Sequence, residues 1–135
     1  MGMPVKATAL RLALVCYALL FIGIVVSADR GLSFWKFLNE WPMGDKLGHL
    51  GLVGSLSLLV NLVLRGRCAP RPFSRIMLGT LIIAGIMTAE ELSQAFFPAR
   101  TLDLLDGLAN LTGAALGQLA ARFMLRPKGR CPAAA

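Results

Sequence analysis

The sequence predicts an all-α, four-helix transmembrane bundle built as one domain over residues 1–135. Three observations predict it: the chain is unusually apolar, it contains four apolar stretches of membrane-spanning length, and its charges segregate by side. Hydrophobic residues make up 56% of the 135 positions and charged residues only 16%, more apolar than a water-soluble domain of this size needs. The stretches cover residues 8–27, 47–64, 76–97 and 102–125, each near the roughly 20 residues that carry a helix across about 30 Å of hydrocarbon. Charges, Pro or Gly bound every stretch.

A net charge of +7 would suggest nucleic acid as the partner of a soluble protein. Here the position of each charge argues instead for a lipid bilayer and against nucleic acid. Lys6, Arg11, Arg65, Arg67, Arg71, Arg75, Arg122, Arg126, Lys128 and Arg130 fall on one side of the spans. The other side holds four basic residues, Arg30, Lys36, Lys46 and Arg100, with all seven acidic ones. The positive-inside rule makes the first side cytoplasmic and places both termini there.

The first stretch admits two readings, since a basic start, an apolar centre and the ending Val26-Ser27-Ala28 fit either a retained span or a cleavable signal. The segment from Asp29 to Asp45 lies outside under both. Its aromatic run, with Phe34, Trp35, Phe37 and Trp41, suits an interfacial anchor or a lid. Pro42 and Gly44 break the chain before the second stretch. The segment from Arg65 to Arg75 reads as a solvated cytoplasmic loop and the tail from Arg126 as disordered. Cys16, Cys68 and Cys131 are scattered, which predicts neither a disulfide framework nor a thiolate metal site.

Charges in or beside a span are costly and mark functional candidates. Three clusters qualify. Asp45 and His49 share a helix face at the outer start of the second helix, with Lys46 beside them. Glu90, Glu91 and Gln94 lie near the outer end of the third. Glu91 shares a face with the small residues Ala84, Thr88 and Ala95 and is the expected buried member. Arg100, Asp103, Asp106 and Asn110 open the fourth helix, and Asp103, Asp106, Asn110, Gly113 and Gly117 form one stripe. Each cluster also has a plain structural reading: a helix-capping acid, an interhelical hydrogen bond, or a first-turn acid on the helix dipole.

In order, Asp45-Lys46-x-x-His49, Glu91-x-x-Gln94, Pro98-x-Arg100-x-x-Asp103-x-x-Asp106 and Asn110-x-x-Gly113 resemble the signature of the VanZ-like family of bacterial membrane proteins. The resemblance covers residues 45–117, although Leu50 and Val53 stand where family members often carry aromatic residues. It implies a multi-pass protein of the bacterial cytoplasmic membrane and cell envelope, and it associates the chain with glycopeptide resistance. The residues then suggest a polar outer-leaflet site for a phosphate-bearing or lipid-linked ligand such as a cell-wall precursor. Asp45, Lys46, His49, Glu91, Gln94, Arg100, Asp103, Asp106 and Asn110 form it, with Arg100 and Lys46 as anion contacts. Two alternatives remain, a metal-dependent membrane enzyme using His49, Glu91, Asp103 and Asp106, and a non-catalytic scaffold. No organic cofactor is expected, and a divalent cation would be Mg²⁺ or Ca²⁺ rather than zinc.

Overall fold

The computed structural model describes residues 7–29, 43–96 and 103–125. The expected aromatic run, Pro98, Arg100 and the tail from Arg126 lie outside them. The fold is all-helical, with α1 (Ala7–Asp29), α2 (Gly44–Val63), α3 (Leu78–Ser93) followed by a short 3₁₀ turn (Gln94–Phe96), and α4 (Leu104–Leu125). Helices α1 and α2 are long and apolar enough to cross a membrane, with mean hydropathies of 2.1 over Ala7–Ile24 and 1.4 over Gly44–Val63.

The helices match the four stretches, with shifts at their ends. Gly44 does not break the chain before the second helix but opens it, after Met43 in a left-handed conformation (φ 69°), so Asp45 and Lys46 stand in the first turn. Helix α3 has 16 residues and tightens to 3₁₀ geometry at Gln94, a common way for a last turn to end. At the far end of α2, Gly66 N–H bonds Asn61 O at 2.8 Å and Arg65 N–H bonds Leu62 O at 3.0 Å. Arg65 is left-handed (φ 53°), completing a Schellman termination. The loop then pairs Ala69 N–H with Ile76 O and Leu78 N–H with Arg67 O. Cys68 in this loop is disulfide-bonded, where the sequence suggests no disulfide framework, and Cys16 is a free thiol.

Helices α2 and α4 make the most extensive contact, and glycine sets it. A Cβ on Gly113 would stand 2.5 Å from Leu50 O, and one on Gly117 would overlap Gly54 O and approach Leu58 N to 2.9 Å. The expected Gly113-x-x-x-Gly117 packing is therefore backbone against backbone. Helix α1 docks on α2 through Tyr17, whose hydroxyl donates to Leu52 O at 3.0 Å and pairs with Ser55 Oγ at 2.7 Å. Arg122 donates to Arg75 O, so the end of α4 meets the arginine-rich loop, and the starts of α2 and α4 lie at the opposite end with the end of α3.

The radial distribution of residues is inverted. Leu12, Leu19, Ile86, Leu105, Leu119 and Phe123 point outward, while Ser57, Asn61, Thr80, Glu91, Gln94 and Asn110 are buried. The apolar core of Val53, Leu56, Ile83, Met87 and Ala114 is correspondingly small. The buried face of α3 comprises Gly79, Thr80, Ile83, Met87 and Glu91, and Thr88 and Ala95 are exposed. The expected small-residue face is thus not the packing face, because the bulkier Ile83 and Met87 fill the core.

Gly117→Ala should lower thermal stability by about 1–3 kcal/mol, the usual cost of overpacking against groups that cannot move aside. Gly51, whose Cβ would meet nothing within 4 Å, is the control, and Gly51→Ala should leave the melting temperature unchanged or raise it, since alanine favours helix.

Candidate functional site

Three helix ends build the site. The first turn of α2 presents Asp45 and Lys46 and, one turn on, His49. The last turn of α3 contributes Glu91. Residues from Asp103 to Asn110 bring in the start of α4. The Gly54–Gly113 contact holds α2 and α4 so closely that their polar first turns interlock instead of standing apart.

Lys46 is the central cation. Its ammonium donates to Asp103 Oδ2 at 3.0 Å and to Asp106 Oδ1 at 3.1 Å. Asp103 also caps α4, its Oδ1 accepting the Leu105 amide N–H at 2.9 Å in the manner of an N-cap side chain. The helix-terminus reading and the site reading of Asp103 thus both hold, one for each oxygen. Asp106 lies past the cap and is only 13% exposed.

His49 bridges the same two helices. Its Nδ1 donates to Asn110 Oδ1 at 3.0 Å, which leaves Nε2 without a proton in the neutral ring. That nitrogen stands 3.6 Å from Asp45 Oδ1. Donor atoms of Asp45, His49 and Asp106 all lie within 4.8 Å of one another.

Glu91 is the buried member of its pair at 6% exposure. Its Oε1 accepts the Asp103 backbone N–H at 3.1 Å, tying α3 to the cap of α4. Glu91 Oε2 and Asn110 Nδ2 are buried without a partner. Gln94 is buried too, but donates to both carboxylate oxygens of Glu90 at 3.1 and 3.2 Å.

The structure therefore brings together Asp45, Lys46, His49, Glu91, Asp103, Asp106 and Asn110. Gln94 is engaged by Glu90 beside this group, and Arg100 lies outside the described residues. The sequence reading missed the polar ladder below the site, in which Asn61 Nδ2 donates to Thr80 Oγ1 at 2.7 Å and Ser57 Oγ donates to Ala114 O at 2.9 Å. A signal existed, because Asp45, His49, Val53, Ser57 and Asn61 follow one another at four-residue steps along one edge of α2.

Asp103 lies just outside α4, and its carboxyl is held below the ordinary 3.8, first by the Leu105 amide N–H and then by the Lys46 ammonium. A depressed carboxyl contributes stability above its unfolded pKa and loses that contribution as pH falls through the folded value. In unfolding measurements across pH, the acid-side loss abolished by Asp103→Asn should accordingly lie below pH 3.8. A difference that sets in near neutral pH would contradict this assignment.

No family model, curated protein or solved structure matches the chain.

Proposed function

We propose that the chain is a multi-pass, VanZ-like protein of the bacterial cytoplasmic membrane, whose acidic end faces outward and binds the phosphate-bearing headgroup of a lipid-linked ligand. A role in glycopeptide resistance rests on the resemblance alone and belongs to the same proposal. The apolar exterior of α1, α3 and α4 supports the membrane reading, since such surface is a liability in water and is satisfied by lipid. Segregation of eight of the ten arginines to the opposite side of the spans supports the orientation.

One observation carries the ligand reading: Asn110 Nδ2 and Glu91 Oε2 are buried and unpartnered within the site. Leaving one such group without a partner costs about 1–3 kcal/mol, so a site holding both is incomplete. A phosphate oxygen answers the Asn110 amide and the neighbouring Lys46 ammonium. A hydroxyl or a protonated phosphate oxygen answers Glu91. Such groups hold an anionic headgroup by charge-assisted hydrogen bonds.

The scaffold reading has support of its own, because Lys46 clamps Asp103 and Asp106 and Glu91 holds the Asp103 amide. Asp106→Asn separates the two readings: a scaffold loses folded yield and function in parallel, whereas a ligand site loses binding with the fold intact. Metal-dependent catalysis, the other alternative, needs a cation held by these same groups.

Titration of the purified chain with a short polyprenyl pyrophosphate should show saturable binding. Asn110→Leu and Arg100→Ala should each weaken it at least about tenfold, equivalent to about 1.4 kcal/mol. Affinity indifferent to both substitutions would overturn the reading.

A further inference from the structure

The carboxylates at the acidic end are not balanced by the cations described there. Asp45, Asp103, Asp106 and Glu91 converge on Lys46 and one imidazole. Lys46 is committed to Asp103 and Asp106, which leaves Asp45 facing the His49 ring and the Asp106 carboxylate.

We propose that Asp45, His49 and Asp106 form a binding site for one divalent cation. The first support is the gap between them. His49 Nε2 and Asp45 Oδ1 are 3.6 Å apart, too far for a hydrogen bond. Two donors at about 2.0–2.6 Å from a shared ion stand about 2.8–3.7 Å apart when they subtend a right angle. The full spread of 4.8 Å across the three residues fits the same ion with small side-chain adjustments. Lys46 engages Asp106 through Oδ1, and a carboxylate offers two oxygens and about four lone-pair sites, so Asp106 still has capacity to ligate.

The second support is the state of the histidine. Donation from Nδ1 to the Asn110 carbonyl sets the tautomer of the neutral ring, whose Nε2 lone pair then faces Asp45. Metal-bound histidines are generally held in this way, through a hydrogen bond from the nitrogen that does not ligate. Asn110, 2% exposed, is thus the positioning residue for His49.

The third support is independent of the trio. Glu91 Oε2 is buried with no donor on it, and the other oxygen of this carboxylate holds the amide of Asp103, which shares Lys46 with Asp106. A buried carboxylate oxygen without a donor calls for positive charge nearby. Entry is open from the Asp45 side, whose side chain is 50% exposed. One imidazole with two carboxylates suits an ion that accepts mixed nitrogen and oxygen donors, with Mn²⁺ as the natural probe. The bound cation would also supply the positive charge that phosphate recognition needs, and that consequence alone rests on the ligand reading above.

Mn²⁺ titration of the full chain in nanodiscs, followed by electron paramagnetic resonance, tests the site. The expected result is one Mn²⁺ per chain, with nitrogen modulation from a single imidazole in the pulsed spectrum. Asp45→Asn and His49→Gln, checked for helix content by circular dichroism, should bind at least tenfold more weakly. Glu40→Gln, which also removes one carboxylate, should bind like wild type. The nitrogen signal is read on the unmodified chain and does not depend on any variant folding. Stoichiometric Mn²⁺ binding with that signal supports the site whether or not a polyprenyl pyrophosphate binds. Absence of stoichiometric Mn²⁺, absence of nitrogen modulation, or equal binding by wild type and His49→Gln overturns it, even if the pyrophosphate binds.

Discussion

The contact on which the rest of the structure depends is the backbone-to-backbone approach of α2 and α4 at Gly54, Gly113 and Gly117. No side chain separates the helices there, and any Cβ added on the α4 side would enter the backbone of α2. Such closeness brings side chains from facing turns within hydrogen-bond reach. One end of the seam therefore becomes Lys46 with Asp103 and Asp106, then His49 with Asn110. Further along it becomes Ser57 on the carbonyl of Ala114. The glycines and the acidic cluster are two parts of one device: the seam fixes the register, and the register decides which polar groups meet.

An interior built this way reverses the usual distribution. In water the burial of Ser57, Asn61, Thr80, Glu91 and Asn110 beneath a shell of leucines would be costly, because the apolar shell would face solvent. In hydrocarbon the same arrangement would be favourable: lipid would solvate the shell, and small residues and interhelical hydrogen bonds would hold the helices together. Most buried polar groups are paired. The exceptions at the acidic end, Glu91 Oε2 and Asn110 Nδ2, are the places where the interior is unfinished, and they coincide with the titratable cluster.

Much of this was legible in the sequence, for identifiable reasons. Helix positions followed from hydropathy, which responds to long runs and is insensitive to a single serine or asparagine within one. The same insensitivity hid Ser57, Asn61 and Thr80. The Asp45–His49 and Asp106–Asn110 pairs were visible because four-residue spacing survives any choice of neighbours. The dual role of Asp103 was not, since it depends on where α4 begins, and helix starts shift by a residue or two. The packing face of α3 is not legible from small residues alone, because Ile83 and Met87 fill the core while Thr88 and Ala95 turn outward.

The central claim is that the first turns of α2 and α4 form one electrostatic unit, and a charge-swap cycle tests it most directly. Lys46→Asp and Asp106→Lys should each destabilise the folded chain in detergent, and the double variant should recover much of the loss, with a coupling free energy of about 1–3 kcal/mol. Strictly additive losses would contradict the account, because they would mean that the two turns do not meet.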